Sequence, residues 1–86
     1  MKIKILGPGC AKCQKLYAEA AKAVAAAGVA VDLEKIETIE EIMKYGVMMT
    51  PALVLDEEVK AVGRIAPVSE IVSWITAAAG KETVGG

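Results

Sequence analysis

Cys10 and Cys13 are the only two cysteines of the chain, and no histidine accompanies them. They stand in the stretch GPGCAKC, where a glycine-rich turn meets a run rich in Ala and Lys. Residues three apart share one face of a helix, which puts the two Cα atoms about 5 to 6 Å apart, within the span of a disulfide. At a helix N-terminus, Cys10 faces unpaired N–H groups and the positive end of the helix dipole, and both favour a thiolate. Lys12 and Lys15 add positive charge nearby, which makes Lys12 a candidate for tuning the thiol. No Asp or Glu stands beside the pair to act as a base, so dipole and lysines must do the activating. Pro8 and Gly9 keep the approach to Cys10 small and open. Cys13 is then placed to attack a mixed disulfide formed at Cys10, and the chemistry is thiol–disulfide exchange. Two other uses stay open. The cysteines could be inert core residues. They could also hold metal: two thiolates suit Cu(I), whereas a closed zinc site needs four ligands.

The rest of the chain bounds these options. It has 86 residues, 55% apolar and 24% charged, which describes one globular domain with a modest core. A net charge of −1 gives no electrostatic case for nucleic acid or an anionic membrane. With no Phe, one Trp and two Tyr, no base-stacking platform is visible and the core must be built from aliphatic residues. No run approaches the ~18 apolar residues of a membrane span, and the start lacks a signal-peptide pattern. The expected address is the cytoplasm, where thiols are kept reduced and a cysteine pair serves catalysis or metal binding more often than stapling.

Several elements must position the pair. KIKIL, residues 2–6, alternates and then breaks at Gly7, Pro8 and Gly9, which predicts a short strand. Residues 10–27 have strong helix composition, with Cys13, Leu16, Tyr17, Ala20 and Val24 as the buried stripe, Lys15 and Glu19 on the solvated side, and Gly28 as the stop. Residues 29–36 alternate again, with a charged face suited to an edge strand. TIEE, residues 38–41, predicts a capping box between Thr38 and Glu41 and a short helix with Ile39, Ile42 and Met43 inward. ALVL and VKAV, separated by DEE, predict an antiparallel hairpin whose turn lacks glycine. Met48 and Met49 before it read as core packing rather than soft metal ligands. A last helix starts at Pro67, carries Val68, Ile71, Val72, Ile75 and Ala78 on one stripe, and stops at Gly80. The order is β-α-β-α-β-β-α, an α/β chain with a mixed four-stranded sheet and helices on both faces. Residues 1–80 form the domain and 81–86 a flexible tail.

A strand, C-x-x-C at the start of the first helix, and Thr-Pro before a hairpin strand together resemble the thioredoxin fold. GCAKC stands for the active-site motif and MMTPALVL for the loop beside it. The likeness covers residues 2–80 and is greatest to the small, glutaredoxin-sized redox proteins of archaea and bacteria. It implies that Cys10 attacks, that Cys13 resolves, and that the Thr50–Pro51 bond is cis. It also implies that the Thr50 backbone pairs with an extended substrate segment, and that Gly63 lets the partner approach. The chain departs from thioredoxins in having Gly9 before the first cysteine, Ala-Lys between the two, and Lys2 and Lys4 on a strand that usually buries an acid.

The expected function is therefore thiol–disulfide oxidoreduction without a cofactor, acting on protein or small-molecule disulfides and recycled by a separate reductase, because the chain has no nucleotide-binding motif. It is expected to act as a monomer, with neither nucleic acid nor membrane as partner. The alternative is a Cu(I) or zinc carrier using the same pair. Such carriers usually have Met two residues before the first cysteine, where this chain has Pro8, and they follow a β-α-β-β-α-β order.

Overall fold

The computed structural model describes the backbone of residues 1–85 and the side chains of residues 1–80. β1 (Lys2–Leu6) leads into α1 (Ala11–Ala27), then β2 (Asp32–Ile36), α2 (Ile39–Met43), β3 (Ala52–Leu55), β4 (Glu58–Val62) and α3 (Val68–Gly85). The strands form one sheet in the order β2-β1-β3-β4. β1 is parallel to β2 and antiparallel to β3, with Leu6 opposite both Ile36 and Ala52. The charged strand β2 does lie at an edge.

Helices cover both faces. On one face Ile3, Ile5, Leu53 and Leu55 pack against Leu16, Ala20 and Ala23 of α1 and Ile71 and Ile75 of α3. On the other, Leu6, Ala52 and Val54 pack against Ile42, with Tyr45 and Val47 alongside. β3 is buried at all four positions because it is central and covered on both sides. Among the described residues no helix is long and apolar enough to cross a membrane.

The hairpin turn comprises Asp56 and Glu57, both at positive φ (47° and 69°), a conformation that favours Asn and Gly. Contacts with β1 hold it there. The Asp56 N–H donates to the Lys2 carbonyl at 2.9 Å, Asp56 Oδ1 accepts from the Lys2 N–H at 2.8 Å, and Glu57 accepts from Lys4 Nζ at 3.0 Å. A bulge follows in β4. Val54 pairs with Val59 but Leu53 pairs with Ala61, so Lys60 is the extra residue. Val59 and Ala61, two apart, consequently serve opposite faces of the sheet.

Four sequence expectations are corrected. Thr38 precedes α2 but its side chain caps nothing, and Glu41 pairs with Lys44 at 3.0 Å instead of reaching back. Ile42 alone of the expected inner face is buried, at 6% exposure, while Ile39 and Met43 are each 67% exposed. A five-residue helix makes little more than one turn, so one apolar position suffices to dock it. Glu19 does not lie idle on the solvated side of α1: its Oε2 accepts the Val68 N–H at 3.2 Å and so caps α3. Gly80 does not stop α3, whose backbone continues to Gly85. The side chains of residues 81–86, where a flexible tail is expected, lie outside the described residues.

Ile42→Ala should lower the unfolding free energy by about 2–4 kcal/mol through the cavity it leaves. Ile39→Ala should change it by no more than about 0.5 kcal/mol. Denaturant melts of the two variants check this, and equal losses would refute the assigned face of α2.

Candidate functional site

Cys10 is the residue just before α1, in extended conformation at φ −69° and ψ 168°. Its carbonyl accepts the Gln14 N–H at 3.0 Å and opens the helical ladder. Its Sγ accepts the Cys13 N–H at 3.3 Å, so a sulfur fills the capping place that Ser, Thr, Asp or Asn usually takes. Gly9, at φ 90°, makes the preceding turn, and Gln14 Nε2 donates to its carbonyl at 3.2 Å. Cys10 is exposed. Cys13, one turn into the helix on its buried stripe, is 5% exposed.

The two thiols are held in opposite electrostatic states. Cys10 lies below the ordinary cysteine range, first because the Cys13 thiol donates a hydrogen bond to its sulfur, then because the N–H groups of Cys13 and Lys12 point at it. Cys13 lies above that range, chiefly because burial disfavours its charged form and then because its proton is shared with Cys10. Lys12 therefore bears on Cys10 through its backbone N–H, and its exposed ammonium is not among the main causes.

The register of β1 and β3 brings the other expected residues to the same end of the sheet. Thr50 is exposed, Pro51 is buried, and the peptide bond between them is cis. The Gly63 N–H donates to the Pro51 carbonyl at 2.8 Å, and Met49 lies over Gly63 so closely that a Cβ there would come within 3.1 Å of Met49 Cε. Met48 and Met49 are not core residues. They are 95% and 61% exposed, on the loop that carries Thr50.

Some neighbours of the pair have no signal in the spacing of the sequence. The Gly7 N–H donates to the Ile36 carbonyl at 2.9 Å, which draws the end of β2 against the cysteine turn. A cleft of about 120 Å³ opens there, with Cys13, Gln14, Lys35 and Glu37 among its lining. Lys35 Nζ also sits 4.6 Å from the centre of the Tyr17 ring. Only the parallel pairing of β1 with β2 makes residues 35–37 neighbours of residues 7–13. Among the described residues no three Cys, Asp or Glu side chains gather where a metal ion could be held.

The family profile described as a thioredoxin domain matches residues 1–76. A thioredoxin of Methanothermobacter thermautotrophicus is 42% identical over 71 residues, which is 83% of this chain and 92% of that protein. A thioredoxin of Methanocaldococcus jannaschii is 35% identical over 69 residues, 80% of this chain and 79% of that one.

A lowered Cys10 deprotonates at lower pH than a free cysteine, and a raised Cys13 at higher pH. As pH rises, alkylation of Cys10 by iodoacetamide should reach half its plateau rate at a lower pH than that of a free cysteine peptide, and alkylation of Cys13 at a higher one. Peptide mass mapping of the reduced protein at a series of pH values checks this, and equal rates or a reversed order would refute the assignment.

Proposed function

The chain belongs to the thioredoxin domain family, and on that premise we propose that it is a thiol–disulfide oxidoreductase exchanging the Cys10–Cys13 dithiol with disulfides of proteins or small molecules. The observation that carries this reading is the asymmetry of the pair: one exposed sulfur lowered at a helix N-terminus, with a buried thiol donating to it. The Cys10 thiolate attacks one sulfur of a substrate disulfide and expels the other as a thiolate, which takes up a proton. Cys13 then loses its proton and attacks Cys10 Sγ, and the second substrate thiolate leaves. The substrate gains two electrons and two protons, and a Cys10–Cys13 disulfide remains.

Exposure supports this order of steps. A bulky disulfide can reach Cys10, whereas Cys13 meets only what is already bonded there. Thr50, beside the pair and exposed, offers backbone to an extended substrate segment. The hydrogen bond from the Gly63 N–H to the Pro51 carbonyl supports assigning both residues to that approach. A separate reductase recycles the disulfide, and the protein acts as a single chain in the reducing cytoplasm. A Cu(I) or zinc carrier gains nothing from these observations, since the element order is not that of the small carriers and, among the described residues, no group of three Cys, Asp or Glu side chains could hold a metal ion.

Equilibration against graded dithiothreitol redox buffers with EDTA, read as alkylatable thiols by mass, should show one two-electron step from two free thiols to none. A pair that never closes would defeat the proposal. Cys13→Ser should accumulate a covalent adduct with a disulfide substrate through Cys10, and Cys10→Ser should form none. Lys12→Gln should raise the alkylation midpoint of Cys10 by less than about one pH unit, a shift that fades in high salt, as befits an exposed charge.

A further inference from the structure

Six glycines lie among the residues whose side chains are described, and four of them (Gly9, Gly28, Gly46 and Gly63) adopt positive φ. Gly7 does not, so backbone conformation is no reason for a glycine at that position. Space is the reason. A Cβ on Gly7 would stand 2.3 Å from Cys13 Sγ and 3.2 Å from Cys13 Cβ. Neither backbone is free to retreat. Gly7 is buried at the end of β1 and tied to Ile36, and Cys13 sits within α1 with its N–H on Cys10 Sγ. The volume that any side chain at position 7 would fill is the volume the Cys13 thiol occupies.

We propose that Gly7 is a positioning residue for the resolving step, its missing side chain being the seat that holds the Cys13 thiol within reach of Cys10. This rests on the reading of Cys13 as the resolving thiol. In that step Cys13 Sγ gives up its proton and bonds to Cys10 Sγ. The bond between Cys10 and the substrate breaks, and the electron pair departs on the substrate thiolate, which is protonated in turn. A methyl group at position 7 must be cleared to about 3.5 Å, so the sulfur has to move by about 1 Å or turn to another rotamer. Displacement of a reacting atom by ~1 Å can slow a step by ~100-fold. The first attack escapes this effect. Besides Cys13, the nearest atom to the added methyl is Thr50 Cβ at 3.8 Å, an ordinary contact, and Cys10 is not among its close neighbours.

The test is Gly7→Ala, with Gly80→Ala as a control because nothing lies within 4 Å of a Cβ there. Reduced protein is mixed with bis(2-hydroxyethyl) disulfide, quenched in acid, and the mixed disulfide and closed disulfide are followed by mass. Gly7→Ala should form the mixed disulfide within about twofold of the wild-type rate but resolve it at least ~10-fold more slowly, and Gly80→Ala should match wild type in both steps. Unchanged resolution in Gly7→Ala, or equal slowing of both steps, would overturn the inference while leaving the redox reading intact. A wild-type protein that never closes the disulfide would overturn that reading, and this role with it. Stability supplies a second arm that needs no turnover. Gly7→Ala should lower Tm less in a Cys13→Ala background, where only the 3.2 Å contact with Cβ remains, than in the wild type. If the single variant does not fold, a folded double variant supports the seat. An equal loss of Tm in both backgrounds, or two unfolded variants, counts against it.

Discussion

β1 and β3 run antiparallel at the centre of the sheet, with Leu6 opposite Ala52, and the cysteine end of the molecule hangs on that pairing. The chain leaves β1 at Gly7 and enters β3 from Pro51, so the turn before α1 and the Thr50–Pro51 loop must be neighbours. Both strands are inner strands, and their apolar side chains divide between two cores. A slip of one residue would send Ile3 and Ile5 to the wrong layer and lift Leu53 and Leu55 out of theirs. Full burial of each such side chain is worth about 1.5–3 kcal/mol, so the register is set by several of these at once. The site inherits its precision from the core and not from the loops that carry it.

Within that frame a single sulfur replaces the usual oxygen cap of a helix. The donors that would otherwise be unpaired at the start of α1 turn toward Cys10, and the thiol one turn further in does the same. One geometry thereby gives two cysteines opposite properties. The first is exposed and stabilised as an anion. The second is buried, costly to ionise, and held as a donor to the first. That difference requires no histidine and no nearby carboxylate. It needs a helix that begins just after the first cysteine and buries the second one turn further in.

Much of this was legible from residue types and spacing. The strand KIKIL, the helix after the cysteines and the hairpin stand where their periodicities place them, and the last helix carries its expected stripe but runs on past Gly80. The short elements were less legible. TIEE carries the letters of a capping box, yet Thr38 caps nothing and Glu41 turns to Lys44, since a local motif in a five-residue helix has little to hold it in place. Met48 and Met49 read as core by composition but stand on the surface beside Thr50. Glu19 reads as a residue of the solvated side of the first helix, and packing of α1 against α3 makes it the cap of another helix.

The sequence alone determined the chemistry available, two thiols three residues apart at a helix start, and the order of elements that carries them. Both follow from local rules: the period of apolar residues, glycine and proline as punctuation, and the preferences of helix ends. Tertiary structure decided the rest. It made Val59 and Ala61 face opposite ways through a bulge at Lys60, held Asp56 and Glu57 at positive φ by contacts with β1, and drew Lys35 and Glu37 into the cleft beside Cys13. It also turned Gly7 from a residue that ends a strand into the space a thiol occupies. These outcomes depend on which residues distant in the chain come within a few ångströms of each other, and no local pattern encodes that distance.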